Sequence, residues 1–211
     1  MAFDFSEGAL AVNVPSDGAT AMISLFRRNP LRDAAERAYQ RVVAQSRRPE
    51  FFTACGVPDT LDGRFELICL HAFLYLCRLK GEAPPASTFG QGLFDAMFAD
   101  FDRSLRELGT GDLSVGREVK RMAEAFYGRI DAYDRGLEDG GVALKAALTR
   151  NLFRTAPVAP SCIDQMATYV RNAATRLRDQ DTAALLAGDV SFDPPLLRAA
   201  EASTSREGVA T

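Results

Sequence analysis

Side chains able to do acid–base or metal chemistry are few in this sequence. There is one histidine, His71. It lies inside a strongly apolar stretch, among Leu67, Leu70, Phe73 and Leu74. General-base work needs a positioned partner and access for a substrate, so a lone His in this setting reads as a hydrogen-bonded core residue. Haem ligation would need the same access. The four cysteines, Cys55, Cys69, Cys77 and Cys162, form no C-x-x-C pair. Cys69 and Cys77 share the apolar stretch and read as small hydrophobes. Neither a disulfide framework nor a zinc site is expected, and a reducing compartment suits such thiols. Gly109-Thr110-Gly111 has part of a phosphate loop but lacks its Lys and its flanking strand. No catalytic residue, metal or cofactor is expected.

The charged residues are more informative. Between Gly90 and Leu108 a helical wheel places Asp95, Asp102 and Arg106 on one flank and Asp100, Arg103 and Glu107 on the other. Asp102–Arg106 and Arg103–Glu107 are spaced as helical ion pairs, worth a few tenths of a kcal/mol each. In the next helical stretch Lys120, Glu124, Tyr127 and Asp131 lie opposite the apolar stripe, with Arg121 beside them. Faces that mix both signs suit docking to a polar partner, and an aromatic ringed by charge is a typical interface anchor. The alternative for Tyr127 is packing under a neighbouring helix. The candidate protein-binding residues are therefore Asp95, Asp102, Arg103, Arg106, Lys120, Arg121, Glu124 and Tyr127.

These residues must be positioned by helices. Asn29-Pro30 is a helix start, because Asn can cap and Pro suits the first turn; this helix extends to about Arg47. A short apolar piece follows at Phe51-Phe52. From Leu61 to Lys80 the chain is apolar on every side, which marks a central helix. Gly90 to Leu108 places Phe94, Met97, Phe98, Phe101 and Leu105 at helical spacing. Ser114 can cap a helix from Val115 to Asp134, and a further helix covers Val142 to Phe153. Ser161 can cap a last one to Arg178. No alternating pattern long enough for a sheet occurs. The expected fold is all-α: a compact single-domain bundle of about six helices. Its domain is expected over residues 22–180, with a disordered extension at 1–21 and a flexible tail at 181–211.

Composition narrows the setting. The chain has 211 residues and a formal net charge of −3, so no global basic field points to nucleic acid. The opening helix region is locally basic, with Arg27, Arg28, Arg32, Arg37 and Arg41. Arg27, Arg28 and Arg32 are candidates for peripheral contact with a membrane or ribosome, though a solvated face is the simpler reading. Residues 1–21 carry Asp4, Glu7 and Asp17 and no Lys or Arg, whereas targeting segments carry positive charge. The longest apolar run, Leu67 to Cys77, falls short of the roughly 20 residues a membrane span needs. The expected location is cytoplasmic, with peripheral contact at the inner membrane.

Several blocks carry a resemblance. They are Gly56-Val57-Pro58-Asp59-Thr60, Asp62-Gly63-Arg64-Phe65, the long run from Leu93 to Gly109, Gly111-Asp112-Leu113-Ser114-Val115-Gly116 and the run from Lys120 to Arg129. Together they resemble the ubiquinol–cytochrome c chaperone family over residues 23–155; beyond Pro157 no motif is matched. The resemblance implies a non-enzymatic assembly factor for the respiratory cytochrome bc complex. It also implies a newly made cytochrome b as client, a small partner protein, and a place near the ribosome. Abundant Arg and scarce Lys point to a bacterial relative. Two other classes stay open: a bundle holding a small apolar ligand such as quinone or lipid, and a scaffold with an unrelated client. An apolar cavity would favour the first of these, and a charged groove would favour the chaperone.

Overall fold

The computed structural model describes residues 29–139, 141–154 and 157–195. The expected 1–21 extension, Arg27, Arg28 and the end of the expected tail lie outside them. The helices are α1 (Pro30–Ser46), α2 (Glu50–Thr53), α3 (Leu61–Leu79), α4 (Ala86–Glu107), α5 (Asp112–Glu138) and α6 (Val142–Leu148). A π-helical turn (Thr149–Phe153) extends α6, and α7 (Pro160–Arg178) and α8 (Thr182–Leu186) follow. No strand occurs among the described residues, so the all-α expectation holds.

Helix α3 is the central one. Every residue from Glu66 to Tyr75 is buried, and α1, α4, α5, the π turn and α7 all pack against it. Such all-round burial is why its sequence is apolar without a single stripe. Its start is set by Thr60, whose Oγ1 accepts from Gly63 N at 3.1 Å. Gly63 has a packing reason: a Cβ there would lie 2.0 Å from the Pro58 carbonyl oxygen. Helix α1 begins as expected, with Asn29 Oδ1 accepting from Leu31 N at 3.1 Å.

Three helix starts differ from the sequence expectation. Helix α4 begins at Ala86, four residues before Gly90. Helix α5 begins at Asp112 behind Gly111, which puts Ser114 inside the first turn instead of at the cap. Helix α7 begins at Pro160 behind Ala159, with no side-chain cap, so Ser161 is not a cap either. A capping-type residue marks a helix start only to within a turn, because backbone and solvent can satisfy the same N–H groups.

Residues 181–195 also differ. Asp181 caps α8, accepting from Ala184 N at 2.9 Å. Leu185 and Val190 are buried. Tyr75 OH donates to the Leu185 carbonyl at 2.5 Å, and Gln45 Nε2 donates to the Asp193 carbonyl at 2.8 Å. This segment, short and weakly periodic, is held by long-range bonds that sequence pattern does not register.

A candidate docking site at the α4–α5 hairpin

Helices α4 and α5 run back on each other through a tight turn at Leu108–Gly111. Gly109 has φ +85°, a left-handed conformation that glycine adopts at little cost. Gly109 N donates to Arg106 O and Thr110 N to Leu105 O, each at 3.0 Å. These two bonds make a Schellman ending, which satisfies carbonyls that the helix itself leaves open.

The tip of this hairpin stands out from the core. Phe101 is the last buried residue of α4, and between Val115 and Phe126 no residue of α5 is buried. Leu113 is 99% exposed and Leu108 61% exposed. Beneath the tip lies a groove of about 380 Å³, formed where α4 and α5 meet the start of α3. Leu61, Phe65, Phe101, Leu105, Leu108 and Met122 make its apolar surface, and Arg47, Arg64 and Arg121 stand at its rim with Asp62, Asp100 and Glu118. Leu61 is 67% exposed. Apolar surface framed by paired charges is the composition of a protein interface.

The eight sequence-nominated residues do not form one patch. Only Arg121 lines this groove; it is paired with Glu118 at 2.6 Å. Asp95 lines a different groove, between α1 and α4, and Gln91 Nε2 donates to it at 2.7 Å. Arg106 joins Asp102, at 2.7 Å, to Asp112 and so ties α4 to α5 across the turn. Lys120 and Glu124 are exposed and 3.9 Å apart. Arg103 pairs with Asp100 at 2.5 Å, not with Glu107 as the four-residue spacing suggested. Asp100 also accepts from Tyr39 OH at 2.7 Å, which anchors it toward α1 and within reach of Arg103. Burial works to raise the Asp100 pKa, but the hydrogen bonds from Arg103 and Tyr39 hold it below the usual value.

Tyr127 combines both sequence readings. It is 38% exposed, yet its ring stacks on Phe94 of α4 with centroids 5.7 Å apart at 25°. Burial of part of the ring, with Asp95 nearby, raises its pKa. One face is core and one edge is surface, an arrangement suited to an anchor.

His71 and three of the cysteines are held within the fold. His71 Nδ1 lies 2.7 Å from the Leu67 carbonyl and Nε2 lies 2.7 Å from Tyr169 OH. A carbonyl only accepts, so Nδ1 carries the proton and Nε2 accepts from the tyrosine. Burial lowers the His71 pKa to about 4. Cys55 and Cys77 are pushed up to about 11 by burial, and buried Cys69 lies well above its ordinary value for the same reason. Thiols held this far from ionising are poor nucleophiles.

The residues that match the ubiquinol-cytochrome C chaperone family model run from 53 to 192. The chain belongs to this family. Ubiquinol-cytochrome-c reductase complex assembly factor 1 of Xenopus laevis is 30% identical over 162 residues, covering 76% of this chain and 81% of that protein. The human protein of that name is 27% identical over 188 residues. This match covers 89% of the present chain but spans 62% of the human protein's length. Among solved structures, the Cbp3 homolog from Brucella abortus superposes with a TM-score of 0.71 at 39% identity, over 82% of this chain and 96% of that one. A bacterial relative of this closeness agrees with the Arg-rich composition. The family match reaches past residue 155 to include α7 and α8, a stretch in which the sequence resemblance found no motif.

Within this family member, one polar pair was missed from the sequence. Glu66 of α3 is fully buried and accepts from Nε and Nη2 of Arg129 of α5, a two-point contact along one guanidinium edge. Arg129 also donates to the Ala125 carbonyl at 2.7 Å and lies over the Phe65 ring, 5.3 Å from its centroid. Burial pushes the Glu66 pKa up, against the pull of Arg129. The pair pins α5 to α3. The available signal is a carboxylate at the start of the apolar run of α3, where a buried charge requires a partner.

Proposed function

We propose that this protein is a non-enzymatic assembly chaperone of the cytochrome bc complex, and that it holds newly made cytochrome b at the α4–α5 hairpin. Family membership supports the assembly role. The observation that carries the site is the projecting tip, whose exposed Leu108 and Leu113 and apolar groove are surrounded by charged pairs. A client that must later enter a membrane offers apolar segments next to charged loops. Apolar contacts in the groove would retain it, while the exposed charges set orientation and speed of encounter.

On this reading, Asp95, Asp102, Arg103, Arg106, Lys120, Arg121, Glu124 and Tyr127 act as two client-facing regions on either side of the tip. Arg121 serves the groove and the others serve the outer faces. A small partner protein and a peripheral position at the inner membrane, through Arg27, Arg28 and Arg32, complete the proposal. No helix among the described residues is long and apolar enough to cross a membrane.

The test is capture of cytochrome b from membranes by the tagged full chain, together with the level of assembled complex. Leu108→Asp with Leu113→Asp should abolish capture and leave the melting curve nearly unchanged. Full capture by this folded variant would remove the hairpin tip from the mechanism. Extraction of a quinone or lipid with the protein, displaced by the same changes, would favour the small-ligand reading.

A further inference from the structure

A second groove lies away from the hairpin tip. It has a volume of about 830 Å³ and runs between α3, α5 and α7. Cys77, Leu137 and Ala174, each part-exposed, contribute apolar surface to it. Most of its charges are already matched. Lys80 pairs with Asp134 at 2.7 Å, and Arg78 pairs with Glu82 at 2.5 Å. Arg78 also donates to the Leu177 and Gln180 carbonyls at the end of α7.

Two arginines of the lining stand apart from this matching. Arg171 and Arg178 are exposed, and neither has a carboxylate within ion-pair distance among the described residues. Each donates to the threonine one turn before it: Arg171 to Thr168 at 3.4 Å and Arg178 to Thr175 at 3.2 Å. They are seven residues apart on α7, which puts them on one face and roughly 10 Å apart along the axis. The carboxylate of the lining without an ion pair is Glu138, on the opposite wall formed by α5. The groove therefore presents a surplus cationic wall along an apolar floor.

We propose that this groove is a second docking site, which takes an acidic amphipathic helix of a partner protein. Two carboxylates two turns apart on that helix would meet Arg171 and Arg178, each guanidinium offering a bidentate fork. Small apolar side chains between them would rest on Cys77, Leu137 and Ala174. The concave shape favours a helix over a bilayer surface, which is flat on this scale. The site stands independently of the hairpin, so the protein can hold a client and a partner together.

The experiment uses the full chain and a labelled helical peptide with two glutamates two turns apart and leucines between them, followed by fluorescence anisotropy. The peptide should bind, and binding should weaken with added salt. Arg171→Glu with Arg178→Glu should weaken it about tenfold or more, and should create affinity for a matching peptide with lysines in place of the glutamates. Arg171→Gln with Arg178→Gln should weaken the first peptide without gaining the second. Melting curves should be unchanged, because both side chains are exposed and unpaired. Equal binding of the acidic peptide by parent and charge-reversed chains would overturn the proposal. So would an absence of binding, or binding of phosphatidylglycerol vesicles in preference to the peptide. Cytochrome b capture should be retained by the Arg171→Glu, Arg178→Glu chain, which separates this site from the hairpin.

Discussion

His71 and the Glu66–Arg129 pair are buried polar groups whose partners lie inside the fold. His71 is neutral in the folded chain, with its pKa lowered to about 4. The unfolded chain takes up a proton near the ordinary value of about 6.5. Between these two values the unfolded state binds more protons, so stability rises with pH. The His71 contribution is fully present above about pH 6.5 and is lost as pH falls toward 4, at roughly 1 kcal/mol per pH unit. Urea melts at stepped pH should show this acid loss, and His71→Gln should reduce its slope while leaving cytochrome b capture intact once the folded fraction is matched. A metal or haem that copurifies with the protein and is lost with His71→Gln would contradict the structural role. Arg129→Met should destabilise by roughly 3–5 kcal/mol, because it leaves the Glu66 carboxylate buried without its counterion. Adding Glu66→Leu to that change should recover much of the loss in the same denaturant measurement.

At the scale of the element, the α4–α5 hairpin divides into a packed base and a projecting tip. At the base, Phe94, Phe98 and Phe126 are close enough to interact as aromatic rings, and Tyr127 stacks at their edge. Phe98→Ala or Phe126→Ala should therefore cost roughly 3–5 kcal/mol through the cavity left behind. At the outer faces, Lys120 makes an exposed pair of the kind that contributes about 0–1 kcal/mol, and Arg103 is itself exposed beside part-buried Asp100, which Tyr39 also holds. Arg103→Glu and Lys120→Glu should keep the helical signal and melting curve, yet slow or weaken capture of cytochrome b. Tyr127→Ala should weaken capture most, at a modest stability cost from the lost stacking on Phe94. Normal assembly of the cytochrome bc complex with all three well-folded variants would assign these positions to an ordinary solvated surface.

For the whole molecule, the two ends of the chain should respond differently to truncation. A chain ending at Gln180 loses buried Leu185 and Val190 and the bond from Tyr75 OH. It also loses the Arg37 bond to the Ala187 carbonyl at 2.8 Å. Its melting temperature should fall by several degrees or more, since removal exposes apolar surface on α1 and α3. A chain starting at Met22 should melt within a few degrees of the full one, because its missing residues show no helical period in sequence. A scan of both truncations by circular dichroism checks the pair; an unchanged melting temperature for the C-terminal deletion would show that α8 adds little to the fold.

Pattern alone determined the long helices to within about a turn, because burial of one face writes a 3.6-residue period into the chain, and the all-round apolar stretch at 61–80 marked the central helix. The ordered blocks from Gly56 to Arg129 were specific enough to indicate the family. Pairing was not determined, because an ion pair depends on which side chains other helices bring near. Arg103 turned to Asp100 because Tyr39, 61 residues away in sequence, holds that carboxylate in place. Glu66 and Arg129 met across 63 residues. Residues 181–195 gained their order from single bonds to α1 and α3, which leave no period behind. A helical wheel places each of the eight candidate residues on its own helix only. The sides of the hairpin were decided by how α4 and α5 pack against α1 and α3, and that packing put Arg121 in the groove and the remaining seven outside it.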